Sequence, residues 1–206
     1  MKTGGIVLCG GKSSRMGRAK AWLPFGNEFL LQRVVRVVQE ATARVVVVAA
    51  PGQEVPPLPD AVELVRDEIE GRGPLGGLAA GLAALGGACD AAYLSACDAP
   101  FLAPEFVRHV VAALGGAGAA VPQIDDRLHP LAAAYRTDVL AVAREMLAAG
   151  RLRMTDLFAL VPTRVIGSDE LRGADLELLS LCNLNTSDEY EAALRAQLRP
   201  EPMGAQ

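Results

Sequence analysis

Apolar positions recur along this chain in two rhythms. Gly5–Leu8 is a short continuous apolar run, read as a first strand that stops at glycines. Phe29–Thr42 carries Leu31, Val34, Val35 and Val38 on one side and Arg33, Arg36 and Glu40 elsewhere, the pattern of an amphipathic helix. "RVVVVAAP" is β-branched throughout and closed by proline, as expected of a strand buried on both faces. "VELVRDE" is a third strand candidate, "LAAGLAAL" a helix after "GRGPLGG", and "AAYLSACDAP" a fourth strand. Pro104 opens a helix that runs through Leu114.

The second half is less regular. "GAAVPQ" and "LAAAYR" read as strands around "IDDRLH", and Asp138–Ala149 as a helix stopped by Gly150. "TRVIG" and "LSLCNLN" read as two late strands, "SDEYEAALRAQL" as a closing helix and "RPEPMGAQ" as a disordered tail. Repeated strand–helix units with right-handed crossovers predict an α/β fold: a mostly parallel, Rossmann-like central sheet flanked by helices. One domain is expected over residues 1–198, with a tail at 199–206.

Composition narrows the function classes. The chain has 206 residues, 51% hydrophobic but only 4% aromatic, so its core is built from small aliphatic side chains. A net charge of −4 supplies no global basic field for nucleic acid or an anionic membrane, so any anion site must be local. Cys9, Cys89, Cys97 and Cys182 form no C-x-x-C pair, and neither a cleavable leader nor an apolar run of membrane length stands out. The expected setting is a reducing cytoplasm.

Local anion chemistry is where the first strand ends. Gly10, Gly11, Lys12, Ser13, Ser14, Arg15, Gly17 and Lys20 combine open backbone, hydroxyls and cations within about a dozen residues. In an open α/β sheet such a loop lies at the strand carboxyl ends, where ligands bind. "GGKSS" lacks the Walker A spacing, and the adjacent Gly10-Gly11 breaks the dinucleotide fingerprint. Asp98 ends an otherwise apolar strand and suits Mg²⁺, which takes one or two carboxylates with substrate phosphates and waters. The blander reading, a cap for the next helix, is met better by Ala103, since Pro104 follows it. Asp67 precedes a glycine-rich entry to a helix. Cys97 invites a nucleophile reading, but nothing in its neighbourhood supplies a base. His129 reads as a structural or hydrogen-bonding neighbour and Asp125-Asp126 as a solvated turn. Asn183 and Asn185 would share one face of a strand, or else signal the turn into a Ser187 helix cap.

In order along the chain, "LCGGKSSRMGRAK", "RD…GPLGGLAAGL", "CDAPFL", "HPLAAAY" and "NLNT" resemble the molybdenum cofactor guanylyltransferases, within the α/β nucleotidyltransferases. The resemblance runs from Gly5 to about Tyr190. It implies that Leu8, Cys9, Gly10 and Gly11 contact a guanine nucleotide, joined by Lys12, with Lys20 on its phosphates and Asp67 on the nucleotide. It makes Asp98 the ligand of nucleotide and Mg²⁺, puts Arg15 beside Lys20 and Asp98 in catalysis, and assigns Asn183 and Asn185 to the pterin phosphate. Two departures stand out: Cys9 replaces a usual alanine, and Val48, Ala49 and Ala50 lack the asparagine that relatives can offer. The implied reaction moves GMP from GTP to molybdopterin, with Mg²⁺ and without a covalent enzyme intermediate. Transient contact with molybdoenzyme chaperones suits such an enzyme. The rivals are a CTP-dependent enzyme acting on the same pterin and a non-catalytic nucleotide-binding module or chaperone.

Overall fold

The computed structural model describes residues 1–10, 19–67 and 71–197. The strands are β1 (Thr3–Leu8), β2 (Pro24–Phe25), β3 (Glu28–Phe29), β4 (Arg44–Ala49), β5 (Val62–Arg66), β6 (Ala91–Ala96), β7 (Ala119–Ile124), β8 (Arg127–Leu128), β9 (Ala132–Arg136) and β10 (Thr163–Ile166). The helices are α1 (Leu30–Ala41), α2 (Gly73–Leu85), α3 (Pro104–Ala113), α4 (Val139–Ala148), α5 (Met154–Leu157), α6 (Ser168–Leu171) and α7 (Ser187–Gln197). Short 3₁₀ turns occupy Lys20–Trp22 and Leu179–Leu181.

The central sheet has the order β10-β7-β9-β6-β1-β4-β5, with β8 hydrogen-bonded to β7. Pairs β1·β4, β1·β6, β4·β5 and β7·β10 are parallel, as the strand–helix alternation predicts. Strand β9 runs antiparallel between β6 and β7. The chain between β7 and β9 is too short for a crossover, so it folds as a hairpin. Its tip is Asp125-Asp126, both exposed and both at positive φ (46° and 62°), matching the twist of the flanking strands.

Two apolar layers sandwich this sheet. Side-chain alternation sends Ile6, Leu8, Val46 and Val48 toward α2 and α4, and Val7, Val45 and Val47 toward α1 and α3. Small residues set the spacing. An added Cβ at Gly81 of α2 would lie 2.6 Å from Ile6 Cγ2, and one at Gly5 only 2.1 Å from Val38 Cγ1. A third, smaller cluster joins Leu23, Phe25 and Leu30 to Leu184 and Ala193, seating α7 against the β2–β3 hairpin.

Two sequence expectations change. "LSLCNLN" is not a strand: Leu178 adopts a left-handed conformation (φ 55°), and Leu179–Leu181 tighten into a 3₁₀ turn instead of joining the sheet. The cap of α7 is Thr186 rather than Ser187. Glu189 N–H donates to Thr186 Oγ1, while Glu189 Oε2 accepts from the Asn185 and Thr186 N–H groups. Those N–H groups hold the Glu189 carboxyl below its usual range, that of Asn185 contributing most. The tail expected at 199–206 lies outside the described residues. No helix among the described residues is long and apolar enough to cross a membrane.

Because Val38 is β-branched and stiff, Gly5→Ala should destabilise the fold by about 1–3 kcal/mol through overpacking. Urea unfolding should show a lower midpoint at unchanged slope. An unchanged midpoint would mean that α1 does not rest this closely on β1.

Candidate active site

Strands β1, β4, β5 and β6 run parallel, so their carboxyl ends meet at one edge. Each junction extends the ladder by one further bond. Cys9 N–H donates to Val48 C=O at 3.0 Å, Cys97 N–H to Leu8 C=O at 2.9 Å, and Asp67 N–H to Ala49 C=O at 2.9 Å. Cys9, Gly10, Asp67 and Asp98 therefore emerge side by side, where crevices form in open α/β sheets.

Asp98 is only 8% exposed. Its Oδ2 accepts from Lys20 Nζ at 2.6 Å, an ion pair across 78 residues of sequence. Its Oδ1 is buried and meets no donor among the described residues. Lys20 Nζ also donates to Asn185 Oδ1 at 3.2 Å, and the Asp98 carbonyl accepts from Leu184 N–H at 2.9 Å. Thus the 3₁₀ turn at Lys20, the segment after β6 and the segment before α7 converge on one carboxylate. The strand model for Asn183 and Asn185 fails. The Asn185 side chain reaches Lys20, while Asn183 offers its carbonyl to Asn185 Nδ2 at 3.5 Å.

The other expected residues distribute as follows. Leu8 ends β1 beneath α2, where a Cβ on Gly77 would lie 2.8 Å from Leu8 Cδ2. Asp67 follows β5 and its carboxylate lies against the first turn of α2, Oδ2 2.8 Å from where a Gly76 Cβ would stand. Gly10 is exposed at the crevice mouth. Gly11, Lys12, Ser13, Ser14, Arg15 and Gly17 lie outside the described residues. His129 follows the β7–β8 hairpin, its N–H donating to Pro122 C=O at 2.9 Å. Burial, then the nearby Arg127 charge, pushes its imidazole below the usual range, so it is neutral at pH 7. His109 lies elsewhere, on α3, with Nε2 3.9 Å from Glu170 Oε1.

The hydropathy pattern does not single out Gln53. Its side chain donates from Nε2 to Cys9 C=O at 2.8 Å and accepts at Oε1 from Ala50 N–H at 3.1 Å. The signal for it is local turn chemistry, in the stretch "APGQ".

A hard divalent cation fits this donor set. The unmet Oδ1 of Asp98 is a buried carboxylate oxygen, the ligand type that Mg²⁺ prefers. Among the described residues no group of three or more His, Cys, Asp or Glu side chains gathers as a cage. Such an ion would therefore rely on a substrate and water for its remaining ligands.

The MobA-like NTP transferase domain family matches residues 5–160. A probable molybdenum cofactor guanylyltransferase from Pelotomaculum thermopropionicum is 35% identical over 199 residues, covering 94% of this chain and 93% of its own. A protein of the same name from Mycobacterium tuberculosis is 37% identical over 201 residues, covering 95% and 93%. The crystal structure of molybdopterin-guanine dinucleotide biosynthesis protein A from Archaeoglobus fulgidus shares the fold. Its TM-score is 0.79 at 23% identity, over 94% of this chain and 97% of that one.

Two buried thiols, Cys9 and Cys97, stand at this edge. Burial pushes Cys9 up to about 11, and burial, reinforced by the Asp98 charge, pushes Cys97 well above the usual thiol range. Neither is a thiolate near neutral pH, so neither is an activated nucleophile. Cys182 is exposed. Iodoacetamide at pH 8 should label Cys182 in the folded protein and spare Cys9 and Cys97, as read by peptide mass spectrometry. Rapid modification of Cys97 would restore the nucleophile reading.

Proposed function

This chain belongs to the molybdenum cofactor guanylyltransferase family of nucleotidyltransferases, and from that premise we propose that it transfers GMP from GTP to molybdopterin. An oxygen of the pterin's terminal phosphate attacks the α-phosphorus of GTP. A new phosphoanhydride bond forms, the α–β bridging P–O bond breaks, and pyrophosphate leaves with the electron pair. Because the attacking oxygen belongs to the substrate, no side chain must act as nucleophile. The protein's work is in-line positioning and charge neutralisation.

The observation that carries this reading is the Asp98–Lys20–Asn185 constellation, with one oxygen of Asp98 paired and the other unmet. Lys20 bridges Asp98 and Asn185, which supports a reading in which one ammonium faces phosphates of both substrates. We assign Leu8, Cys9, Gly10, Gly11, Lys12 and Asp67 to the nucleotide, and Asn183 and Asn185 to the pterin phosphate. Arg15 and Lys20 stabilise the charge that grows on the departing pyrophosphate. Asp98 would hold Mg²⁺, which when bound neutralises phosphate charge and polarises the phosphorus centre. The four free thiols suit a reducing cytoplasm.

Pyrophosphate release with molybdopterin, Mg²⁺ and each NTP in turn tests the assignment. GTP should be preferred. Asp98→Asn should abolish turnover, and Lys20→Gln should lower kcat/KM by roughly 10²–10³, both with the fold retained by circular dichroism. A CTP preference would move the assignment to a cytidylyltransferase, and no release with any NTP would favour a binding module. Near-normal turnover of Asp98→Asn would remove the role given to that carboxylate.

A further inference from the structure

Gln53 is delivered to the crevice by a tight turn. Ala50 C=O accepts from Gln53 N–H at 3.2 Å, Pro51 presets the second position, and Gly52 supplies positive φ (67°) at the third. This is a type II turn, whose third position disfavours any residue with a Cβ. Arg66, at the end of β5, braces it by donating from Nη1 to Ala50 C=O at 3.2 Å and also to Gln53 C=O. The glutamine side chain then folds back between β1 and β4.

Its position in the ladder matters. With Leu8 opposite Val48, the bond after Cys9 N–H to Val48 C=O would join Ala50 N–H directly to Cys9 C=O. The Gln53 carboxamide occupies that bond instead, donating to Cys9 C=O and accepting from Ala50 N–H. The Gln53 amide therefore bridges the two strands where their direct ladder ends. The Cys9 carbonyl is thereby fixed toward β4. Across a planar trans peptide, Gly10 N–H must point the opposite way, toward the β6 side where Asp98 follows Cys97. No acceptor meets that N–H among the described residues.

We propose that Gln53 is a positioning residue for nucleotide binding: it locks the Cys9–Gly10 peptide so that Gly10 N–H is aimed into the crevice as a donor to the nucleotide's phosphates. The inference rests on the nucleotide role given above to Cys9 and Gly10. Gln53→Glu keeps an acceptor for Ala50 but sets a carboxylate against the Cys9 carbonyl, and Gln53→Leu removes both bonds.

Titration of GTP with Mg²⁺ into wild type and both variants, with melting temperatures alongside, is the test. Each folded variant should bind GTP about tenfold more weakly, the loss of roughly one well-made hydrogen bond. In turnover, KM for GTP should rise more than kcat falls. In wild type, saturating GTP should slow hydrogen exchange at the Gly10 amide, a reading that stands even if a variant does not fold. A merely structural glutamine would lower the melting temperature and leave GTP affinity unchanged, and that result, or unaltered Gly10 exchange, overturns the proposal. Wild type that binds no GTP would overturn the proposed function together with it. Wild type that binds beside variants of equal affinity overturns the Gln53 role alone.

Discussion

A carboxylate withdrawn from water must be met by donors or cations, or give up its charge. Asp98 is almost fully buried, and the described residues answer only half of that demand. Oδ2 is held by Lys20 at 2.6 Å, whereas Oδ1 faces no donor among the described residues. The rest of the site follows from this imbalance. Lys20 comes from a 3₁₀ turn after the first loop, and Asn185 shares the ammonium from the far end of the sequence. A backbone bond from Leu184 to the Asp98 carbonyl fixes the approach of that distant segment. Three stretches of chain are thus organised around one partly satisfied acid.

The scaffold makes such an acid tolerable. The interior strands are buried on both faces and carry almost no polar side chains, so the sheet is stiff and dry up to its carboxyl edge. At that edge the ladder ends one residue at a time, and backbone groups become available to a ligand. Cysteines occupy two of these terminal positions, but burial keeps them protonated, which leaves them as small apolar packing groups. Neither cysteine is an activated nucleophile at this edge.

Much of this is legible in sequence because it depends on local pattern. The β-branched run of β4, the amphipathic α1 and the proline at the start of α3 each declare their structure through periodicity or backbone restriction. Asp98 is conspicuous as a charge closing an apolar strand. What periodicity does not carry is long-range pairing. The insertion of β9 against the sheet direction follows from hairpin geometry and partner choice. "LSLCNLN" looks like a strand, yet Leu178 and the capping box at Thr186–Glu189 turn it into an irregular brace. Gln53 is invisible to hydropathy because its importance comes from a single ladder bond that its amide replaces. The family resemblance pointed to Asn183 and Asn185 as a pair, but not to the contact that the Asn185 side chain makes with Lys20.

Anomalous diffraction from crystals grown with Mn²⁺ and a non-hydrolysable GTP analogue would show whether Asp98 holds a divalent cation beside the nucleotide. A metal peak in coordination contact with Asp98 Oδ1, with the triphosphate beside Lys20, is expected. A metal bound elsewhere, or a nucleotide seated away from the carboxyl edge of β1 and β6, would contradict it.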